Sequence, residues 1–407
     1  FATLSLTSGG FAVAMNEFSD KRDEYESSIL SLTSIIAILI AIIYILAPSF
    51  WQHTLGLTNA VIVLMLIGFL FAPARDFWLA RQRYEYKYKL AGLVSILTAI
   101  IASFFSIFVV IYFSKNGSDN TASARLFANY FVVYVVAAII WIYIMFKGKK
   151  FYSKKYWSMS LSISIPLVGY NIAGQILNVS DRMMISSMVS NSAVGIYSTL
   201  YTVSSLSLMV WQAINASFIP YLFQNIDKKN HNIKKVSTML MGAYAIIAVL
   251  LTYFAPEIVK ILATKEYYEA IYIMPPIAAG VFFTSYANLY SNIAVYYKKT
   301  KYVMYPSFVA AGLNLLLNYI FIKLFGYMAA AYTTLFSYII LAILQVVWVK
   351  RLCKDNGTSI NNIFDNKMMF ILAVLTTVST LFGIILYVNT FIRFETIQEV
   401  LKVFHES

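Results

Sequence analysis

Asn171, Gln175, Asn178 and Arg182 recur in an otherwise apolar tract at intervals of 4, 3 and 4. At 3.6 residues per turn those intervals put all four on one helix face. Asp181 immediately precedes Arg182, and this acid–base pair interrupts a tract that is otherwise uncharged from residue 156 to residue 226. Amides donate to and accept from hydroxyls, and a guanidinium grips phosphate or carboxylate with two parallel hydrogen bonds. Two readings fit the stripe. One is a hydrogen-bonded seam between helices, with an arginine reaching for the interface and an adjacent acid to pair with. The other is the wall of a polar cavity in which Arg182 meets an anionic substrate.

Similar faces recur along the chain. Tyr197, Tyr201, Ser204 and Asn215 share one, with Gln212 close by; Thr284, Asn288 and Ser291 form another, and Asn314 and Asn318 a third. Amides, hydroxyls and tyrosine rings together would suit a sugar, whose hydroxyls want polar partners and whose apolar faces stack on aromatics. For each residue taken alone, ordinary small-polar helix packing explains it equally well. The densest basic and aromatic cluster is ARDFWLARQRYEYKYK, Ala74–Lys89. It reads as an interfacial anchor, or as a mouth where Arg75, Arg81 or Arg83 would capture a pyrophosphate headgroup. The acidic stretch Glu17–Glu26 lies on the same side and is available to pair with it.

The elements that must position these residues are membrane helices. The 407-residue chain is 60% hydrophobic and 12% charged, about half the charge of an average soluble protein. Its net charge of +13 sits in short clusters between apolar runs, which argues against a nucleic-acid partner. Charged residues are absent between Glu26 and Arg75, room for two spans, and from 90–114, 126–146, 156–180, 183–226, 236–256, 270–297, 302–322, 324–349 and 368–392. Each run accommodates a span of about 20 residues, and Ser186–Ser192 reads as a turn opening the long one. The expectation is eleven full spans plus a partial helix at the start. Continuous apolar runs of this length favour helices over a barrel, whose strands would alternate over about ten residues.

Of the 31 lysines and arginines, 23 fall in one alternating set of loops and eight in the other, so the first set is expected in the cytoplasm. Both sets of loops are short. The tail 393–407 falls on the outer side and reads as an interfacial helix or the lead-in to another span. The first residue is Phe1, and the opening apolar stretch Phe1–Met15 lacks the basic start and cleavage site of a signal peptide, so it reads as the tail of a truncated helix. A single cysteine, Cys353, rules out an internal disulfide, and the three histidines are too scattered to suggest a metal site; no cofactor is expected. Neither a phosphate-binding GxxxxGK[ST] nor a GxSxG or HExxH motif occurs, so neither an ATP engine nor a hydrolase is expected.

Two segments resemble a known family. NVSDRMMISSMVSNSAVGIYSTLYTVSSL, residues 178–206, is similar to the junction that opens the second half of polysaccharide repeat-unit transporters, and YYKKTKYVMYPSFVAAGLNLLLN, residues 296–318, is similar to their lysine turn and the asparagine-bearing helix after it. With the Gly9-Gly10 pair, Glu17-Phe18 and the Ala74–Lys89 cluster, the resemblance covers nearly the whole chain. The family is the O-antigen flippase (Wzx-type) branch of the multidrug/oligosaccharidyl-lipid/polysaccharide exporter superfamily.

The resemblance implies an all-α polytopic membrane protein with about twelve visible transmembrane helices, the first partial, in two pseudo-symmetric bundles around a central cavity. Residues 1–155 would form the N-terminal bundle, 156–349 the C-terminal bundle, and 350–407 an additional span and tail. It further implies alternating access, a multi-pass location in the bacterial cytoplasmic membrane, and an undecaprenyl-pyrophosphate-linked oligosaccharide repeat unit as substrate. Membrane lipids, a polysaccharide polymerase and a chain-length regulator would be its partners. A fourteen-span member lacking both ends fits the count best. A cation-coupled multidrug antiporter on the same scaffold would want a carboxylate deep in the membrane, and the visible spans are expected to offer none. A polymerase or ligase would want a large outer loop, which the chain lacks.

Overall fold

Without water in the hydrocarbon, each backbone amide must bond within its own segment, and the chain answers with helices. The computed structural model describes residues 10–115, 121–226, 232–262 and 265–405, the last stretch by backbone alone from 387 onward. Residues 1–9 of the expected partial helix (1–15), Lys228, Lys229 and the side chains of the 393–407 tail lie outside the described residues.

The α-helices are α1 (Phe11–Glu17), α2 (Arg22–Leu46), α3 (Pro48–Leu55), α4 (Asn59–Tyr84), α5 (Tyr88–Lys115), α6 (Thr121–Gly148), α7 (Lys154–Met188), α8 (Asn191–Asn225), α9 (Asn232–Tyr253), α10 (Ala255–Leu262), α11 (Met274–Tyr296), α12 (Lys301–Phe325), α13 (Ala329–Asp355), α14 (Ile360–Ile363) and α15 (Asn366–His405). Eleven of the described helices are long and apolar enough to cross a membrane, as the uncharged runs foretold. Their outward faces carry exposed large apolar side chains such as Leu46, Phe104, Phe108 and Phe370, a surface suited to lipid.

The expected turn after Ser186 lies at Val189–Ser190, and Asp181 and Arg182 sit inside α7. Thus the charged pair interrupts the apolar tract without interrupting the helix. α7 and α8 are each 35 residues long, on the order of 50 Å at 1.5 Å per residue.

Contacts divide the chain into two compact units: residues 1–168 with 216–224, and residues 169–215 with 225–407. α7 and α8 each contribute to both. In the first unit α4 and α2 pack on α6, and α5 packs on α6 as well. Its core near the lysine-rich loops is aromatic: Phe11 stacks on Phe77 at 5.1 Å, and Tyr25 lies against both Phe18 and Tyr156. Gly148 ends α6 where an added Cβ would run into the Asp23 carbonyl and the Ser27 side chain, so the close approach of α6 to α2 requires glycine. The second unit is built around α11, whose span is 89% buried against 17% for α5. It packs on α13, α9 and α15.

One ion cluster closes the lysine-rich end of the first unit. Arg81 on α4 bonds Asp23 and, at 2.7 Å, Glu26 on α2, and reaches Glu85 at 2.8 Å. Lys87 joins Glu85 at 2.6 Å and Lys147 joins Asp23 at 3.3 Å. With Glu26 at 3% and Arg81 at 12% side-chain exposure, the pair is largely out of water. Removing one partner of such a pair strands a buried charge. Arg81→Ala should therefore lower the unfolding free energy of the purified protein by on the order of 3 kcal/mol, with partial recovery in Arg81→Lys; thermal or denaturant melts in detergent check this.

Burial pushes the Glu85 carboxyl up, but hydrogen bonds from Lys87 and Arg81 outweigh it and hold the carboxyl below its ordinary range. A depressed folded value means that the stabilisation is complete above an unfolded value of about 4.3 and is lost as pH falls through the folded one. Glu85→Gln should accordingly flatten the acid limb of the melting profile below about pH 5.

Candidate functional site

The polar faces of α7, α8, α12 and α13 meet within the second unit, around Asp181. This carboxylate is fully buried. Its Oδ2 accepts from the Tyr197 hydroxyl at 2.7 Å and from the Thr334 hydroxyl at 3.2 Å, and Ser180 lies 3.4 Å from Oδ1. From there the network runs through α12 and α13. Ser180 donates to the Asn314 carbonyl oxygen at 3.1 Å, the Asn314 amide donates to Thr334 at 3.2 Å, and the Asn318 amide donates to Asn314 at 3.1 Å. Thr333 in turn donates to Asn318. Asn314, Asn318 and Thr334 are all buried, so each of these polar groups needs the others.

Arg182 goes elsewhere. Consecutive helix residues point about 100° apart, so neighbours in sequence do not face each other. Among the described residues no salt bridge joins Arg182 to Asp181, and the adjacent acid–base pairing expected from the sequence is replaced by two separate environments. The guanidinium lies over the Tyr201 ring at 4.6 Å, and its Nη1 donates to the Asn178 carbonyl at 3.0 Å. Its Nε is buried and has no hydrogen-bond partner. The Asn178 side-chain oxygen accepts from Tyr201 at 3.1 Å and Tyr338 at 3.3 Å, which holds the ring beneath the guanidinium. Arg182 is thus a half-buried cation inside a membrane-spanning helix, held by a π face and one carbonyl.

The remaining sequence candidates separate into pairs. The Tyr170 hydroxyl donates to Asn288 at 2.7 Å, and the Asn292 amide donates to Asn215 at 2.7 Å. Asn171 is half-buried on the same α7 face and Gln175 is exposed. Arg75, Arg81 and Arg83 belong to the first unit. Arg81 is engaged by three carboxylates, two of them from the acidic stretch Glu17–Glu26. Arg75 has a buried Nε with no hydrogen-bond partner, and neither Arg75 nor Arg83 forms a salt bridge among the described residues.

Sequence reasoning missed Thr333, Thr334 and Tyr338. Their signal was available: Thr334 and Tyr338 are four apart on α13, the same spacing as Asn314 and Asn318 on α12. Chemically, the Asp181 cluster concentrates a carboxylate, amide oxygens and hydroxyls. Those are the donors that a hard cation or an exchangeable proton would use. Among the described residues no group of three or more His, Cys, Asp or Glu side chains is placed to hold a metal.

A family model described as Polysaccharide biosynthesis protein matches residues 2–226, more than half of the chain. A second model, MatE, matches residues 166–320. An uncharacterized membrane protein of Methanocaldococcus jannaschii is 24% identical over 345 residues, which cover 79% of this chain; the chain spans 65% of that relative's length. Among solved structures, a mutant of the Vibrio cholerae MATE transporter VcmN is similar with a TM-score of 0.70 at 14% identity, covering 87% of this chain and 84% of that one. A MATE in the bent conformation gives 0.68 at 14% identity over 88% and 85%. An outward-facing multidrug resistance MATE family transporter of the MOP superfamily gives 0.67 at 14% over 86% and 83%. At such identities the likeness to solved structures speaks for the fold. The family match over more than half of its length means that this chain belongs to the polysaccharide biosynthesis protein family, and it has eleven candidate membrane spans in a fold like that of the solved MATE structures.

Proposed function

We propose that the chain is a flippase that carries undecaprenyl-pyrophosphate-linked oligosaccharide repeat units from the inner to the outer leaflet of the bacterial cytoplasmic membrane, for surface polysaccharide synthesis. The observation that supports this most directly is Arg182. A guanidinium inside a membrane span is costly, and cations so placed are ordinarily paired with an acid. This one has a buried Nε without a hydrogen-bond partner and forms no salt bridge among the described residues, the neighbouring Asp181 carboxylate acting on it only through its charge. That is the state in which it could meet a diphosphate. The amides and tyrosines around it, Asn178, Tyr201 and Asn171 on the same face, would serve the sugar. Arg81 is committed to Asp23, Glu26 and Glu85, so capture of the headgroup at the cytoplasmic mouth falls to Arg75 or Arg83.

A second reading, a cation-coupled multidrug antiporter, has one observation in its favour: contrary to the expectation that the spans offer no such group, Asp181 is a fully buried carboxylate in a membrane span, with hydroxyl partners and no salt bridge among the described residues. The same group would equally supply coupling to a flippase. The two readings differ in cargo.

Complementation tests the cargo. In a strain lacking its own repeat-unit flippase, the full-length gene should restore surface polysaccharide and clear the accumulated lipid-linked intermediate. Failure in several glycan backgrounds, with the protein present in the membrane, together with drug efflux, would support the antiporter. Losing charge-assisted hydrogen bonds to an anion costs about tenfold or more. Arg182→Ala should lower export by that factor at equal expression, with Arg182→Lys in between; full export by both would remove Arg182 from the mechanism. Asp181→Asn should make transport in vesicles insensitive to collapse of the proton or sodium gradient. An unchanged response would exclude Asp181 as the coupling group.

A further inference from the structure

The ion cluster at the lysine-rich end of the first unit borders a pocket of about 720 Å³ between α4, α5 and α6. Its two ends differ in chemistry. One end holds Gln82, Lys87 and Lys147 beside Arg81 and Glu85. The other is a wall of Leu90, Val94, Ile139 and Ile140. Leu90 and Ile139 are exposed, so the pocket opens onto the apolar flank of the bundle.

Three features point to a ligand. The Gln82 side chain is more than nine-tenths buried, lines the pocket, and makes no hydrogen bond among the described residues. Lys87 and Lys147 each hold one carboxylate, Glu85 and Asp23, and Lys147 also lies over the Tyr143 ring, yet their side chains remain 59% and 43% exposed and accessible from the pocket. Three cations, Arg81, Lys87 and Lys147, line the pocket, whereas of the three carboxylates they hold only Glu85 does; Asp23 and Glu26 lie outside its lining. A small soluble anion would use the charged end and leave the apolar wall against water. A purely apolar chain would leave Gln82 and the lysines unmet.

We infer that this pocket seats an anionic membrane phospholipid of the lysine-rich leaflet. Its phosphate lies at Lys87, Lys147 and the Gln82 amide, and an acyl chain lies along Leu90, Val94 and Ile139. This ligand is distinct from the transported lipid: the site involves neither Arg182 nor the Asp181 network. Basic pockets between membrane helices at the cytoplasmic face favour anionic headgroups.

The test uses the full-length protein in nanodiscs and reads quenching of Trp78, which lines the pocket, by brominated lipids, with Trp78→Phe as the background to subtract. Brominated phosphatidylglycerol should quench at an apparent affinity on the order of tenfold tighter than brominated phosphatidylcholine. The Lys87→Gln, Lys147→Gln double variant should lose that preference, and the corresponding double arginine variant should keep it. Equal affinity of the wild type for both lipids would overturn the proposal without any variant. So would a preference that survives the double glutamine substitution, or displacement of the brominated lipid by millimolar glycerol phosphate, which would mark a site for a soluble anion. Polysaccharide export is not part of the readout, so this inference and the flippase reading can fail independently.

Discussion

Every polar group in the spanning region competes under one constraint: the hydrocarbon offers no hydrogen bonds, so each donor and acceptor must find its partner in the protein. The backbone meets the constraint by forming helices. Isolated hydroxyls meet it locally, donating back to a carbonyl one turn earlier, as Thr33 does to Ile29, Ser106 to Ala102, Ser307 to Val303 and Thr376 to Leu372. Amides and charges carry more donors and acceptors than one such bond can satisfy, and so they gather. The two units gather them differently.

In the first unit, charge is neutralised by charge. Arg81 bridges α2 and α4 through Asp23, Glu26 and Glu85, and Lys147 of α6 joins Asp23. The cluster ties three helices at one end of the bundle, above an aromatic core of Phe11, Phe77, Tyr25 and Tyr156. In the second unit, charge is held by neutral groups. Asp181 rests on two hydroxyls, and Arg182 on a tyrosine ring and a peptide carbonyl. Neutral partners leave a charge free to respond to a proton, an ion or a phosphate, whereas a buried ion pair such as Arg81 with Glu26 is already spent, and only the exposed lysines at its rim stay open to a ligand. This difference directs the functional proposal to the second unit and a lipid-anchoring role to the first.

The network around Asp181 also welds four helices. α7 supplies Ser180 and Asp181, α8 Tyr197, α12 Asn314 and Asn318, and α13 Thr333 and Thr334. Because each member satisfies the next, a change in the ionisation of Asp181 alters the partners of Tyr197 and Thr334 first and those of Asn314 after them.

What the sequence by itself determined is what depends on local composition. Uncharged runs of about 20 residues specify spans because a helix needs that length to cross hydrocarbon, and the structure has a helix at each. The 4-residue spacing of Asn314 and Asn318, and of Asn178 and Arg182, placed them on shared faces for the same local reason. Only the tertiary structure decided which faces meet. Asp181 and Arg182 adjoin in sequence yet part on the helix, one turning into the α12–α13 network and the other onto Tyr201. Arg81 and Arg75 stand in one basic cluster, yet Arg81 alone is covered by carboxylates brought from residues 23, 26 and 85. Helical periodicity assigns a side chain to a direction; the packing of distant helices assigns it a partner, and for buried charge the partner decides whether the group holds the fold together or remains free to act.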